Sequence, residues 1–427
     1  MSVTAVIGLQ WGDEAKGKVV DMLSPGAEIV ARFNGGDNAG HTVVNSYGTF
    51  KVRLTPNGFS SPGTLCAIGP GCVVNLATLI SEIEQIEQSG IDLRSRLWIS
   101  PRYHLVMPYH PMLETIYEQA KGLARTGTTK RGMGPVFADK VSYNGIRFFD
   151  LTDNALFADK LRLQLSIKNP IFEAFGLPPL DHDQVYEETL HRYAQVQSCV
   201  REPFGVVQET LARGGSILLE GAQGALLDNN WGTYPFCTAS ITLAGGASAG
   251  LGIAPRHIAQ VVGVAKAYTT RVGAGPMPTE LIDATGEAIQ KAGQEYGTVT
   301  GRPRRCGLLD AGLVRFTSQL NGVTGVALTK LDVLDGLETI KICVGYQRSH
   351  TGDRLWHYWE LDAHRLEECQ PVYIEMPGWL QPTTGVRSFA GLPPQAQAYV
   401  RKVEELVGAP VRYVSVGPQR EATIDLE

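Results

Sequence analysis

A short apolar run, Val3 to Ile7, leads into a glycine-bracketed turn, Gly12-Asp-Glu-Ala-Lys-Gly17-Lys18, and Lys18 to Leu23 can then start a helix. An apolar run of this length suits a buried parallel strand, so the glycines lie at a strand-to-helix turn of an α/β fold. There, backbone N–H groups and the helix N-terminus can hold phosphate oxygens, and Lys18 can reach the β- and γ-phosphates. Two features depart from a plain phosphate loop. Asp13 and Glu14 stand where negative phosphates are expected, and Val19 occupies the place of the hydroxyl that usually binds Mg²⁺. Asp13 is the nearest substitute ligand, or a base for a second substrate held beside the γ-phosphate. A chance glycine-rich turn would have the same spacing.

The 427 residues are 43% hydrophobic and 19% charged, which suits a globular chain with a sizeable core. No charge run, low-complexity linker or internal repeat divides them, so residues 1–427 read as one large domain with insertions. A net charge of -5 argues against a nucleic-acid or membrane-surface partner. No apolar run approaches the roughly 18 residues of a membrane span, and signal-peptide features are lacking. Seven scattered cysteines without a CxxC pair fit reduced thiols in a cytoplasmic protein.

Further along, Glu28 to Phe33 reads as a second strand and Val43 to Leu54 as a hairpin turning near Asn45 to Gly48. Leu76 to Gln88 places Leu76, Leu79, Ile80, Ile83 and Ile86 on one helical face. More helices are expected near 111–122, 154–166, 184–213 and 394–406. Apolar strands recur at Ser216–Glu220, Gln260–Ala267, Val326–Lys330, Ile340–Tyr346 and Val411–Val416. This alternation predicts a mostly parallel central sheet flanked by helices, with ligands at the carboxyl ends of the strands.

The loops at those ends carry the chemistry. Asn34 to Thr42 holds three glycines and His41, which can donate to a phosphate or an oxyanion; a surface histidine in a turn is the plainer alternative. Asp332, after the strand Val326–Lys330, can accept from both N1–H and the 2-amino group of guanine, and so select GTP over ATP. Thr298 to Arg305 packs three arginines, two hydroxyls and a glycine into eight residues. It suits a clamp for carboxylates or phosphates and equally a solvated basic turn. Gly127 to Pro135 is a second Gly/Thr/basic loop, and Glu220-Gly-Ala-Gln-Gly224 offers Gln223 as an amide reader.

Taken together, Gln10 to Lys18, Asn38-Ala-Gly-His-Thr42, Gly127 to Pro135, Glu220 to Gly224, Gly232-Thr-Tyr-Pro235, Ala267 to Pro276, Thr300 to Arg305 and Thr329 to Gly336 resemble the adenylosuccinate synthetase family, in order and at family spacing. The resemblance implies a ligase of purine (AMP) biosynthesis that joins IMP to L-aspartate with GTP, through a 6-phosphoryl-IMP intermediate. It implies a P-loop-NTPase-like sheet with inserted helical and hairpin regions, working as a homodimer. Asp13 would take the N1 proton of IMP, and His41 would stabilise charge during phosphoryl transfer. Mg²⁺ would be held by Asp13 and the carbonyl of Gly40.

The resemblance assigns GTP to Gly12, Asp13, Glu14, Ala15, Lys16, Gly17 and Lys18, to Gly40, His41 and Thr42, and to Arg304, Lys330, Leu331, Asp332, Ser415, Val416 and Gly417. IMP would meet Asp13, Glu14, Ala15, Lys16, Asn38, Ala39, Gly40, His41, Thr129, Gln223, Thr238 and Arg302. Aspartate would meet Thr298, Val299, Thr300, Gly301, Arg302, Pro303 and Arg304.

Two positions depart from the family. Ala15 replaces a glycine, at a cost of about 1 kcal/mol if φ is positive there. Tyr143 stands where the family has an arginine that reaches across the dimer to the IMP phosphate, which leaves Arg131 or Arg147 to compensate. These departures frame the alternative of a nucleotide-binding regulatory protein with its pocket kept and its ligase activity weak or lost. A sister ligase acting on a deoxyguanylate is another rival, but such relatives tend to replace the catalytic aspartate, and this chain keeps Asp13.

Overall fold

The strand Val3–Gly8 is buried along nearly its whole length, and the strands Ile29–Arg32, Ile217–Glu220 and Gly325–Thr329 are buried at every residue. Strands with no solvent face need layers on both sides, which is the condition that parallel sheets meet. In the computed structural model, which describes residues 3–297, 301–348 and 356–426, these strands share one sheet. From one edge the order is Thr423–Asp425, Val411–Ser415, Gly325–Thr329, Ile258–Lys266, Val3–Gly8, Ile217–Glu220, Ile29–Arg32, Leu65–Ile68 and Leu97–Ile99. Only the edge strand Thr423–Asp425 runs antiparallel. All the other carboxyl ends therefore open onto one rim.

Two expected elements differ, and a third element appears that was not expected. Ile340–Tyr346 lies within Thr339–Arg348, which pairs antiparallel with Cys369–Pro377 in a separate small sheet. Its exposed and buried residues largely alternate, the signature of a strand with one wet face. The single helix expected over 184–213 is two helices, His182–Val196 and Phe204–Ala212, with a short 3₁₀ turn and Pro203 between them. Proline lacks the N–H a continuous helix needs and disfavours helical backbone at the residue before it. The helix Ala311–Asn321, N-capped by Asp310 and closed by Gly322 in the left-handed region, was not among the expected elements.

The hairpin forms as His41–Asn45 and Gly48–Val52, and the helix Leu76–Glu87 is N-capped by the Asn75 side chain. Beyond the strand Leu97–Ile99, helices including Tyr109–Ala120, Asn154–Ala174 and His182–Val196 build a second apolar core around Phe148, Phe157, Leu161 and Tyr193. Asp181 caps the helix His182–Val196 by accepting the Gln184 N–H, and His364 is exposed. Thr298, Val299, Thr300 and His350 lie outside the described residues.

Candidate active site

The glycine turn sits at the carboxyl end of the central strand, and its backbone is unusual: Gly12, Asp13 and Ala15 all have positive φ, 88°, 61° and 67°. Left-handed residues alternating with right-handed ones turn successive N–H groups toward one side, a concave anion cradle. The apparent excess of acid in the turn is resolved by Glu14, whose carboxylate is fully buried beneath it. Oε1 accepts the N–H groups of Gln10 (3.1 Å) and Gly12 (2.8 Å), and Oε2 pairs with Lys16 Nζ at 2.6 Å. Space for it exists because Gly8 and Gly224 lack a Cβ, which would stand 2.4 and 2.6 Å from the Glu14 carboxylate. Glu14 can offer substrates only its backbone. Of the two acidic residues in the turn, Asp13 is the one on the cleft wall.

That cleft has a volume of about 490 Å³, within the range of small-molecule sites. It gathers segments distant in sequence: Gly12, Asp13 and Ala15 to Gly17, Asn38 to His41, Thr126 to Thr129, Gln223, Tyr234 to Ala239, and Arg271. Gln223 donates to Asn38 Oδ1 at 3.0 Å, and its own Oε1 lies 3.3 Å from the donating Ser240 hydroxyl. Thr129 and Thr238 stand on the wall, as expected. Thr42 and Arg302 do not line it; both are exposed, as are Gly301 and Pro303.

His41 is placed by close packing. A Cβ on Gly17 would fall 2.6 Å from its Cδ2, so only glycine in the first helical turn lets the ring approach. Asn57 Nδ2 lies 2.6 Å from His41 Nε2 and also donates to Glu220 Oε1 at 2.8 Å. An amide nitrogen only donates, so Nε2 accepts and the ring proton sits on Nδ1. Burial foremost, then the charge of Arg32, draws the imidazole pKa down to about 3, with Asn57 opposing and Lys16 adding a little. His41 is therefore a neutral Nδ1–H donor at physiological pH.

Arg304 meets both acidic partners at the rim. Its Nε lies 2.7 Å from Asp13 Oδ2, an ion pair not aligned as a hydrogen bond, and its NH1 donates to Glu295 Oε2 at 2.6 Å. Asp13 thereby has one carboxylate oxygen engaged and the other directed elsewhere.

Lys18 differs from expectation. Its ammonium contacts Ser415 Oγ (2.6 Å), Gly417 O (2.7 Å) and Ala422 O (2.9 Å), and it is absent from the cleft wall. Three donors are thus used on the C-terminal turn, and burial lowers the pKa to about 8. Lys16, not Lys18, is the loop lysine on the cleft. Lys330, Leu331, Asp332 and Ser415 to Gly417 form a second station at the ends of adjacent strands, joined to the loop through Lys18. Here Asp332 is partly buried, with Oδ1 fully enclosed and without a hydrogen-bond partner. An enclosed carboxylate oxygen with no donor suits a ligand that supplies one.

Sequence reasoning gave no role to Arg271, Glu295, Asn57 or Glu220. Arg271 is 2% exposed and lines the cleft, where it donates to Thr233 Oγ1, Phe236 O and Pro276 O and stacks 4.9 Å over the Trp11 ring. It lies inside the Ala267–Pro276 motif, so the motif itself was the available signal. Among the described residues no group of three or more His, Cys, Asp or Glu could hold a metal. Asp13 and Gly40 both face the cleft and supply hard oxygens. That small donor set fits Mg²⁺, which commonly takes one or two protein ligands and completes its shell with phosphate and water.

A sequence model of the family described as "Adenylosuccinate synthetase" matches residues 5–424. Adenylosuccinate synthetases of Carboxydothermus hydrogenoformans and Heliobacterium modesticaldum are 45% and 46% identical, each over 100% of this chain and 99% of the relative. The fully ligated adenylosuccinate synthetase of Plasmodium falciparum superposes with a TM-score of 0.94 at 34% identity, over 100% of both chains. A cyanophage S-2L succinoaminodeoxyadenylate synthetase, bound to dGMP and dATP, matches with a TM-score of 0.62 over 99% of this chain and 95% of its own. At 22% identity that likeness shows the fold alone.

Proposed function

The chain belongs to the adenylosuccinate synthetase family and joins IMP to L-aspartate at the expense of GTP; from that premise we propose which residues carry each step. The observation that carries the assignment is the meeting of Asp13, His41 and the positive-φ glycine turn in one cleft.

IMP lies along Asn38 and Gln223, with Thr129 and Thr238 beside it. Asp13 takes the N1 proton, which concentrates charge on O6 for attack on the γ-phosphate of GTP. His41 donates its Nδ1–H to the transferring phosphoryl oxygens, where developing charge is stabilised most. The resulting 6-phosphoryl group makes phosphate the leaving group, and the amine of aspartate displaces it at C6. The guanine base seats on Asp332, whose enclosed Oδ1 accepts from the base, with Ser415 to Gly417 as the facing turn. Arg304 turns from Asp13 to the carboxylates of aspartate, assisted by the loop that contains Arg302. Mg²⁺, held by Asp13 and the Gly40 carbonyl, would offset phosphate charge.

The same reading makes residues 1–427 a single catalytic domain, and the protein a cytoplasmic homodimer. Tyr143 is 96% exposed at the end of the helix Met133–Val141 and does not line its own cleft, as suits a residue facing a neighbouring subunit. All seven cysteines are free, as in a reducing compartment.

The test is to mix purified protein with GTP, Mg²⁺, IMP and aspartate and follow ultraviolet absorbance as the purine 6-oxygen is replaced by an amine. The change is expected only when all three substrates are present. GTP hydrolysis independent of IMP, or no change at all, would refute the assignment.

A further inference from the structure

Glu295 appears in none of the assignments above, yet it is fully buried and holds the densest charge cluster beside the cleft. Oε1 accepts from Lys266 Nζ at 2.9 Å, from Lys330 Nζ at 2.6 Å, and from the Tyr268 hydroxyl. Oε2 accepts from Arg304 NH1 at 2.6 Å. Burial pushes the carboxyl pKa up, but Lys266, Lys330 and Arg304 together outweigh it and hold the group ionised.

The backbone of Glu295 is engaged as well. Its carbonyl accepts the Arg304 N–H at 2.9 Å, Tyr296 bridges Pro303, and the Gly297 N–H donates to Arg302 O at 2.8 Å. The arginine loop is therefore closed by antiparallel pairing of residues 295–297 with 302–304. Lys330, at the other side, begins the turn Leu331–Leu334 that presents Asp332; its ammonium is tied to Glu295 and to Gly293 O at 2.8 Å.

We propose that Glu295 is a positioning residue that sets the guanine-reading turn and the aspartate-binding arginine together, coupling occupancy of one to readiness of the other. Its contacts reach two segments that serve different substrates, which a carboxylate kept only to neutralise Lys266 would not need. Replacing a buried ionic cluster with apolar side chains is often neutral or stabilising, so stability alone is a weak reason to keep it. If the carboxylate loses its charge, three cations repel one another. Lys266 is 0% exposed and stays in place, whereas Lys330, 26% exposed, swings toward solvent and Arg304, 8% exposed, shifts toward Asp13, its other acidic partner. The two substrate segments then loosen together, while Asn38, Gln223 and Thr238 do not touch the cluster.

The inference rests on the reading of Asp332 and Arg304 above, and ITP separates the two because it lacks only the 2-amino group of guanine. In Glu295→Gln, the kcat/KM preference for GTP over ITP is expected to fall at least tenfold and the aspartate KM to rise at least tenfold, with the IMP KM within twofold. A purely structural role would lower Tm and kcat alike for both nucleotides and leave the preference intact. If that variant does not fold, Glu295→Gln with Lys266→Met removes the charge pair together and is read the same way. The unmodified protein gives an independent check: replacing GTP with ITP should raise the aspartate KM at least threefold. A folded variant that keeps the preference, or equal aspartate KM values with the two nucleotides in the unmodified protein, overturns the coupling. Unmodified protein that does not distinguish GTP from ITP would instead refute the Asp332 reading and take the inference with it.

Discussion

Gly17→Ala isolates the placement of His41 from the stability of the fold. The added Cβ would lie 2.6 Å from His41 Cδ2, 3.1 Å from Cγ and 3.2 Å from Asn57 Nδ2. Favourable contacts between carbon atoms begin near about 3.5 Å, so the ring must retreat by about 1 Å and lose alignment with Asn57. Misplacing a catalytic group by about 1 Å costs on the order of 100-fold in rate, or about 2.7 kcal/mol at 1.36 kcal/mol per tenfold. The backbone offers no counter-effect. Gly17 lies inside the helix Lys16–Leu23 without positive φ, where alanine is favoured over glycine by about 1 kcal/mol. Steady-state absorbance assays at saturating GTP, IMP and aspartate should show kcat down about 100-fold, with the IMP KM changed less than threefold. Thermal unfolding should leave Tm level or raised. A kcat within threefold of the unmodified protein, at equal or higher Tm, would mean that the close approach of His41 to the loop is not needed for transfer.

Ala15→Gly bears on the first family departure. Ala15 has φ of 67°, so its methyl group carries about 1 kcal/mol of backbone strain in the folded chain. The extra freedom of glycine in the unfolded chain offsets much of the relief. Tm should move little and the GTP KM should stay within threefold; a tenfold drop in that KM would instead place the methyl group against phosphate. Tyr143→Arg should lower the IMP KM about tenfold by adding a charge-assisted bond to phosphate, and an unchanged KM would show that the position does not reach IMP. Arg131 is no obvious substitute, since it points at Asp37, 3.7 Å away.

Asp310→Asn tests a buried acid, whose carboxyl pKa burial raises from 3.8 to about 6. The folded state binds the proton more tightly than the unfolded chain, so this group's contribution to stability is full below pH 3.8 and is lost as pH rises through about 6. Asparagine keeps the helix cap and removes the titration. Urea unfolding should therefore find the variant more stable at pH 7 by up to about 3 kcal/mol, from about two pKa units at 1.36 kcal/mol each. It should also find a flatter profile between pH 4 and 6. Parallel profiles for the two proteins would contradict the shift.

Much of the site was legible because it is written in contiguous residues. The glycine turn, Asn38 to His41, Gln223 and the Lys330–Asp332 turn all follow apolar strands, and parallel strands deliver their carboxyl ends to one rim. The short strands Leu65–Ile68 and Leu97–Ile99 escaped notice, since four and three residues carry too little pattern to separate strand from loop. Thr339–Arg348 was legible as a strand but not as a member of a second sheet, because pairing partners are chosen by the fold.

What the residues determined by themselves is therefore local: which turns can adopt positive φ, which runs must be buried on both faces, and which loops can hold phosphate. Only the tertiary structure decided where each charge is spent. Glu14 and Asp13 are neighbours, yet one is buried beneath the loop and the other faces the cleft, because Gly8 and Gly224 leave room for only the first. Lys18 turns to oxygen atoms of residues 415–422, some 400 positions away, and Glu295 collects cations from 266, 304 and 330. The reason is physical: backbone conformation depends on a few adjacent residues, whereas the partner of a buried charge depends on which distant segments the closed sheet brings within about 3 Å, the reach of a hydrogen bond.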